Sequence, residues 1–291
     1  MAIFNGFNSK ASAMRAIKQA GFSFTSALGA TESNPKLAKG GKLGVLTKAH
    51  NLAPANESGF NMCASASEGC KIACLHTAGN PIYLPAKIRA RINRTLAFMK
   101  CRAAYIALLA FELEAHERRC KMLNMVCAWR PNTTSDYPFH SVALVVNGVK
   151  YKSLIHYFNN IEAYDYTKIL KKALQFASPK PLLPHNYHIT FSRSESNQSD
   201  CIKLLEAGKI SGKGGNVAIV FDRLPKDMKW KGFTVLDGDE SDVRFLDLQG
   251  GNVIGLKAKG LGKRDLSGFV LSGSFANSEI DNFTYKGGKL V

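Results

Sequence analysis

Acidic side chains are scarce in this chain, 22 against 39 lysines and arginines, which leaves a formal net charge of +17. Such an imbalance raises a polyanion, nucleic acid above all, as the expected partner; a merely basic soluble enzyme is the plainer alternative. Long apolar runs are missing too. No window approaches the roughly 18 uninterrupted apolar residues of a membrane span, so no membrane partner is expected. The first residues, "MAIFNGFNSKASAMRAIKQAG", lack the basic-then-apolar pattern of a secretion signal. The seven cysteines are not an even number, and without such a signal they are expected as reduced thiols in a cytoplasm. No Walker-type phosphate loop and no G-x-S-x-G elbow occurs, which removes two common signatures of phosphate and acyl chemistry. Internal repeats and an acidic tail are absent as well, and nothing in the sequence sets the oligomeric state.

What is present changes character along the chain. Residues 10–20, "KASAMRAIKQA", have helical spacing. The next stretch, "SNPKLAKGGKLGVLTKAHNLAPAN", is rich in Gly, Pro, Asn and Lys and reads as a basic loop or arm, so residues 1–50 are expected as a basic N-terminal helix and arm. From Pro85, well placed in a first helical turn, to Cys120 the pattern predicts two helices or one broken helix. Beyond Cys120, short apolar runs each end in a polar cluster: "MLNMVCAW" then "RPNTTSD", "IEAYDY" then "TK", "YHITF" then "SRSESN", "NVAIVF" then "DR", and "FTVLDGDESD". Helix-forming segments lie between most of them. Strands alternating with helices predict an α/β fold, here an incomplete parallel, TIM-like barrel over residues 51–250. Residues 251–291, with short strands, turns and the basic "GLKAKGLGKR", are expected as a small β-rich C-terminal extension packed on the barrel.

The stretch "NMCASASEGCKIACLHTAGN" puts Cys63, Cys70 and Cys74 within twelve positions. Thiolates that close repel unless a metal neutralises them, so a metal or redox site is the leading reading. A structural zinc site wants four ligands; His76, Cys101 or Cys120 would have to complete it. An iron–sulfur cluster held by three cysteines leaves one iron open, which suits an enzyme whose substrate binds iron. A disulfide within the group is the remaining alternative.

These cysteines, followed by "ARINRTLAF", "YDYTK" and "YHITFSRSESN", resemble a family of bacteriophage gene products over about residues 40–250. More distantly the ordering is similar to the radical S-adenosylmethionine (SAM) superfamily, although the cysteines are separated by six and three residues here where that superfamily has three and two, and Leu75 stands where an aromatic residue is usual. The resemblance implies a partial barrel with the cysteines after its first strand, a 4Fe–4S cluster whose open iron binds SAM, and hydrogen abstraction by a 5′-deoxyadenosyl radical. A radical-SAM-like enzyme, modifying nucleic acid in the host cell's cytoplasm, is the expected function. A nucleic-acid-binding protein with a structural zinc or Fe–S site is the alternative.

Polar residues after the strands are the candidates for SAM and substrate, because strand carboxyl ends line the sites of such folds. They are Arg130, Asn132, Thr134, Ser135 and Asp136; Tyr166, Thr167 and Lys168; Ser192, Ser194, Glu195 and Asn197; and Asp237, Asp239 and Asp242. The same residue types also serve as caps and turn formers. Tyr166 with His185 and His188 raises a DNA-nicking alternative, weakened by the three-residue spacing of the histidines. Arg89, Arg91 and Arg94 are candidate phosphate or carboxylate contacts on a helix.

Overall fold

The alternation of strand and helix segments is borne out in a computed structural model, which describes residues 2–29, 35–74, 85–180, 182–274, 285–286 and 289–290. In chain order the first half forms α1 (Lys10–Gln19), β1 (Leu28–Gly29), α2 (Pro35–Gly40), β2 (Val45–His50), α3 (Glu68–Ile72), α4 (Pro85–Lys100), α5 (Arg102–Met122) and β3 (Val126–Arg130). There follow β4 (Leu144–Val146), β5 (Val149–Tyr151), α6 (Leu154–Tyr157), β6 (Glu162–Thr167), α7 (Leu170–Ala177), β7 (Tyr187–Ser192) and α8 (Gln198–Ser211). The chain continues through β8 (Val217–Phe221), β9 (Lys229–Trp230), β10 (Phe233–Asp237) and β11 (Val253–Lys257) to the pair β12 (Tyr285–Lys286) and β13 (Lys289–Leu290).

The main strands run in the order β1-β2-β3-β6-β7-β8-β11-β10-β9. This is a mixed α/β arrangement whose sheet is mostly parallel, with antiparallel pairing at the edge strands β1 and β9. The sheet is open: the closed part of a TIM-like barrel is not formed. No helix among the described residues is long and apolar enough to cross a membrane.

The chain divides into two compact units. The first comprises Met1–Ala64, Leu84–Asp165 and Leu183–His188. Its centre is α5, which is apolar on all sides from Ala104 to Phe111 and therefore buried all round, with Tyr105, Ile106, Leu108 and Leu109 fully enclosed. Helix α1 starts at a capping box, Ser9 and Ser12 each satisfying the other's backbone N–H, and Lys10 reaches Glu112 of α5 at 2.9 Å. The expected helical stretch is broken into α4 and α5 at Cys101, whose φ of −121° and ψ of 45° lie outside the helical range. The hairpin β4–β5 turns at Asn147-Gly148, both at positive φ (49° and 84°), as a two-residue turn between twisted strands requires.

One segment differs from the sequence expectation. Residues 45–50, expected inside a basic loop, form β2, which pairs in parallel with β3 from Val45↔Val126 to Ala49↔Arg130. Thr47, Lys48 and His50 disguise the strand because Thr47 and His50 are satisfied in the core and not in solvent. Thr47 accepts from the Tyr164 hydroxyl at 3.4 Å, and His50 is held between Pro131 and Tyr105.

The second unit comprises Ser65–Tyr83, Tyr166–Leu182 and Ile189–Val291. Its strand β8 is a near-continuous apolar run, Val217, Ile219 and Phe221 being fully buried, as a central parallel strand demands. Strand β11, inside the stretch expected as an extension, is inserted between β8 and β10 and belongs to the sheet itself. Helix α8 ends at Gly212 (φ 67°) and packs so tightly at Gly208 that a Cβ there would lie 2.7 Å from the Gly251 nitrogen.

Candidate functional site

In the first unit β2, β3 and β6 run parallel, so their carboxyl ends share one edge. His50 ends β2. Its Nδ1 faces the Pro131 carbonyl at 3.0 Å, which can only accept, so Nδ1 carries the proton and Nε2 accepts from the Tyr105 hydroxyl at 2.8 Å. Burial, with Arg94 adding to it, lowers the His50 pKa to about 3, so the ring is neutral. The same burial pushes the Tyr105 hydroxyl far above its ordinary range.

The loop after β3 is built on Asp165 of β6. The Asn132 backbone and side-chain amides donate to the two oxygens of Asp165, each at 2.8 Å, and the Tyr187 hydroxyl donates to Oδ2 at 2.7 Å. Asn132 also gives its second amide hydrogen to the Tyr137 carbonyl, while its Oδ1 accepts from Ser135 Oγ and the Tyr137 N–H. The whole side-chain amide of Asn132 is thereby engaged, and Ser135 is fixed with it. The Tyr187 hydroxyl is raised well above its usual pKa, by burial first and the Asp165 charge second. Arg130, the last residue of β3, is buried with its guanidinium 5.6 Å from the centre of the Tyr164 ring.

This loop also meets the cysteine segment. Thr134 donates to the Leu52 carbonyl at 2.6 Å, and the Asp136 N–H donates to the Met62 carbonyl at 2.9 Å. Cys63 is half-buried; its sulfur accepts the Ala55 N–H at 3.4 Å and lies 3.8 Å from the Thr134 carbonyl.

In the second unit the five-residue helix α3 carries Cys70, with Cys74 two residues beyond its end, both half-buried. Ser67 caps the helix by accepting the Cys70 N–H at 3.3 Å. Glu195, in the loop after β7, grips the same end: Ser67 Oγ donates to Oε2 and the Gly69 N–H to Oε1, both at 2.8 Å. A carboxylate at a helix N-terminus also opposes the exposed N–H dipoles. Gly69 has no room for a side chain, since a Cβ there would collide with Ser267 Oγ and the Glu195 carboxylate.

Lys168 donates to Ser192 Oγ at 2.8 Å and lies 5.3 Å from the centre of the Phe269 ring. The turn from β7 to α8 is closed by Asn197, which accepts the Ser194 N–H at 2.6 Å and donates to the Ser192 carbonyl at 3.2 Å. Thr167 accepts the Ile169 N–H, a turn bond, and Tyr166 is half-buried beside it. Asp239 binds Lys259 at 2.6 Å and the Lys257 N–H at 3.0 Å; Asp237 lies 3.7 Å from the Lys257 amine, and Asp242 is buried.

Some candidates stand elsewhere. His188 pairs with Glu162 at 2.7 Å while His185 is exposed ahead of β7, so the two do not make a ligand pair on one strand face. Arg94 donates to the Ser26 carbonyl at 2.8 Å, and Arg89 is exposed. Leu75 and His76 lie outside the described residues. Sequence reasoning missed Asp165 within β6, Tyr187 at the start of β7 and His50 at the end of β2, which read as pattern residues. It also missed that Cys120 faces His116 and Cys127, a group able to bind a metal; the visible signal was a histidine and a cysteine four apart on one helix.

These features define a class: an α/β protein with an open, mostly parallel sheet and a three-cysteine segment directly after the first parallel strand. The chain belongs to the Gene product 88 family of bacteriophage proteins, whose model matches residues 25–273. No curated protein and no solved structure matches it.

Proposed function

We propose that this protein is a radical-SAM-like iron–sulfur enzyme in which Cys63, Cys70 and Cys74 hold a 4Fe–4S cluster. The observation that carries the reading is the position of the cysteines: they follow β2, the first of a run of parallel strands wound in consecutive order, as in a partial barrel. The donor set suits the group, being three soft, half-buried thiols, one of which accepts a backbone N–H, the bond that tunes cluster sulfurs. The chemistry such a cluster supplies is one-electron cleavage of the S–C5′ bond of SAM into methionine and a 5′-deoxyadenosyl radical.

The chain's own residues bind and orient. Lys168 and Arg130 offer cations for the SAM carboxylate, Ser192 and Asp136 offer partners for its amino group and ribose. Asn132, Ser135 and Asn197 hold the loops that present them, and Glu195 holds the helix bearing Cys70. The net charge of +17 points to nucleic acid as the substrate class. It equally favours a second reading, a nucleic-acid-binding protein in which zinc or an Fe–S cluster only staples the cysteine loop.

Anaerobic purification from iron-replete cells, with iron, sulfide and zinc analysis, separates the two. The enzyme reading expects brown protein, bleached by Cys63→Ala, Cys70→Ala or Cys74→Ala, that releases 5′-deoxyadenosine from SAM with dithionite. One equivalent of zinc without iron would end it.

A further inference from the structure

At the amino-terminal edge of the first unit's strands lies a second group of metal-binding side chains. His116 and Cys120 stand four residues apart on one face of α5, and Cys127 is the second residue of β3, reached through a tight turn at Asn124 (φ 51°). All three are buried, with 2%, 1% and 7% of their surface exposed. Their donor atoms all lie within 4.8 Å of one another.

The imidazole already has the tautomer of a ligand. Its Nε2 faces two acceptors, the Leu46 carbonyl at 3.1 Å and the Ala128 carbonyl at 3.0 Å, so Nε2 bears the proton and Nδ1 keeps its lone pair. A metal-bound histidine normally makes this kind of bond through its other nitrogen, to a backbone carbonyl or carboxylate. Nδ1 lies 3.8 Å from Cys120 Sγ. Zinc bonds of about 2.1 Å to nitrogen and about 2.3 Å to sulfur at a tetrahedral angle would set these atoms roughly 3.6 Å apart. The same sulfur lies 3.8 Å from Nε2 as well, so binding turns the ring to aim Nδ1 at the ion.

We propose that His116, Cys120 and Cys127 form a three-ligand zinc site with an open fourth position, separate from the three-cysteine segment, that clamps the end of α5 to the start of β3. Two thiolates and a neutral imidazole around a divalent ion sum to zero charge, which suits a buried site. The ion takes the place of both thiol protons on binding. A water molecule completes the fourth position; the turn residues Leu123 and Asn124 are exposed, so solvent is close.

The test uses the full chain with Cys63→Ser, Cys70→Ser and Cys74→Ser, which removes the other thiol cluster, and cobalt(II) and zinc(II) as probes. The expected result is one equivalent of tightly held zinc, and with cobalt the ligand-field bands of a tetrahedral thiolate site. Adding His116→Gln, Cys120→Ser or Cys127→Ser should weaken binding more than about 100-fold, beyond the usual cost of losing an outer-shell partner. Cys101→Ser and Cys201→Ser should leave the cobalt spectrum unchanged. Should a ligand variant fail to fold, X-ray absorption of the zinc-loaded parent decides, a shell containing two sulfurs supporting the site. The proposal is overturned by a parent that binds no zinc, by a zinc shell without sulfur, by binding indifferent to Cys127→Ser, or by a Cys120–Cys127 disulfide in protein prepared with zinc present.

Discussion

Cys63, Cys70 and Cys74 are close in sequence and half-buried, and the first two are held by hydrogen bonds from short pieces of chain: the Ala55 N–H on the sulfur of Cys63, a Ser67 cap and the Glu195 carboxylate around the helix of Cys70. His116, Cys120 and Cys127 are brought together by a long helix and a strand, and packing holds them. The contrast separates two ways of building a thiol site. Hydrogen-bonded loops leave sulfur accessible to a large inorganic group and to a substrate that must reach it. A packed core encloses sulfur, suppresses the thiolate, and admits only an ion that neutralises it.

The sharpest way to break this comparison is thiol labelling of chelator-treated protein at mild alkaline pH. Cys63, Cys70 and Cys74, being half-buried, should react about ten- to a hundredfold slower than a free thiol. Cys120, Cys127 and Cys201 should lag by about a thousandfold or more, since reagent reaches them only through opening. For Cys201, burial pushes the thiol up to about 12, which leaves roughly one molecule in ten thousand ionised at pH 8. Mass spectrometry of the digested protein gives each rate separately. Similar rates for Cys70 and Cys127 would mean that the two groups do not differ in access.

The next largest effect tests whether the strand-end loop of the first unit is as firmly built as the core. Asp165 is fully buried and accepts from Asn132 twice and from Tyr187 once. Asp165→Asn replaces one acceptor by a donor facing another donor, and should cost about 3 kcal/mol in urea unfolding. Tyr187→Phe removes a single bond and should cost about 1 kcal/mol, with coupling to Asp165→Asn in a double-mutant cycle. A loss under 1 kcal/mol for Asp165→Asn would show a loop that relaxes instead.

Legibility in the sequence followed the same division. Strands β3, β6, β7, β8 and β10 were visible because each apolar run is bounded by turn formers, and α4 and α5 because their spacing is helical over many residues. Strand β2 was hidden because Thr47, Lys48 and His50 look solvent-facing until Tyr164, Pro131 and Tyr105 are seen to satisfy two of them. The cysteine segment announced itself by density. The His116 group did not, because six residues and a reversal of chain direction separate Cys120 from Cys127. Asn132, Ser135, Glu195 and Asn197 were legible as residues at strand ends, yet their bonds to Asp165, the Gly69 N–H and the Ser194 N–H depend on pairings that sequence spacing cannot express.

A buried histidine gives a pH test of the packed region. The His50 pKa is lowered from 6.5 to about 3 by burial, Arg94 adding to the effect, while Tyr105 faces its other nitrogen. The unfolded chain therefore binds the extra proton first. The stability associated with neutral His50 is complete above about pH 6.5 and is lost as pH falls toward about 3. At pH 5 the loss should be about 2 kcal/mol. His50→Gln should lower stability at pH 7 and flatten the profile between pH 7 and 5. A wild-type slope that survives His50→Gln intact would assign it to other groups.

The smallest effect probes the loop-built side alone. Glu195 accepts from Ser67 Oγ and the Gly69 N–H, and it does so at the end of a helix only five residues long. Such a helix has too few internal bonds to persist by itself, so its order depends on these contacts. Glu195→Gln keeps the shape, removes the charge and turns one acceptor into a donor, at a cost of about 1.4 kcal/mol. Because that cost falls on a segment that opens locally, it should appear as roughly tenfold faster labelling of Cys70, with little change in the global urea midpoint. Cys127 labelling in the same sample should not move. If Cys70 labels no faster in Glu195→Gln, the helix is held by something other than the carboxylate; if the midpoint falls with it, α3 belongs to the cooperative core and the two kinds of thiol site are closer in construction than their exposure implies.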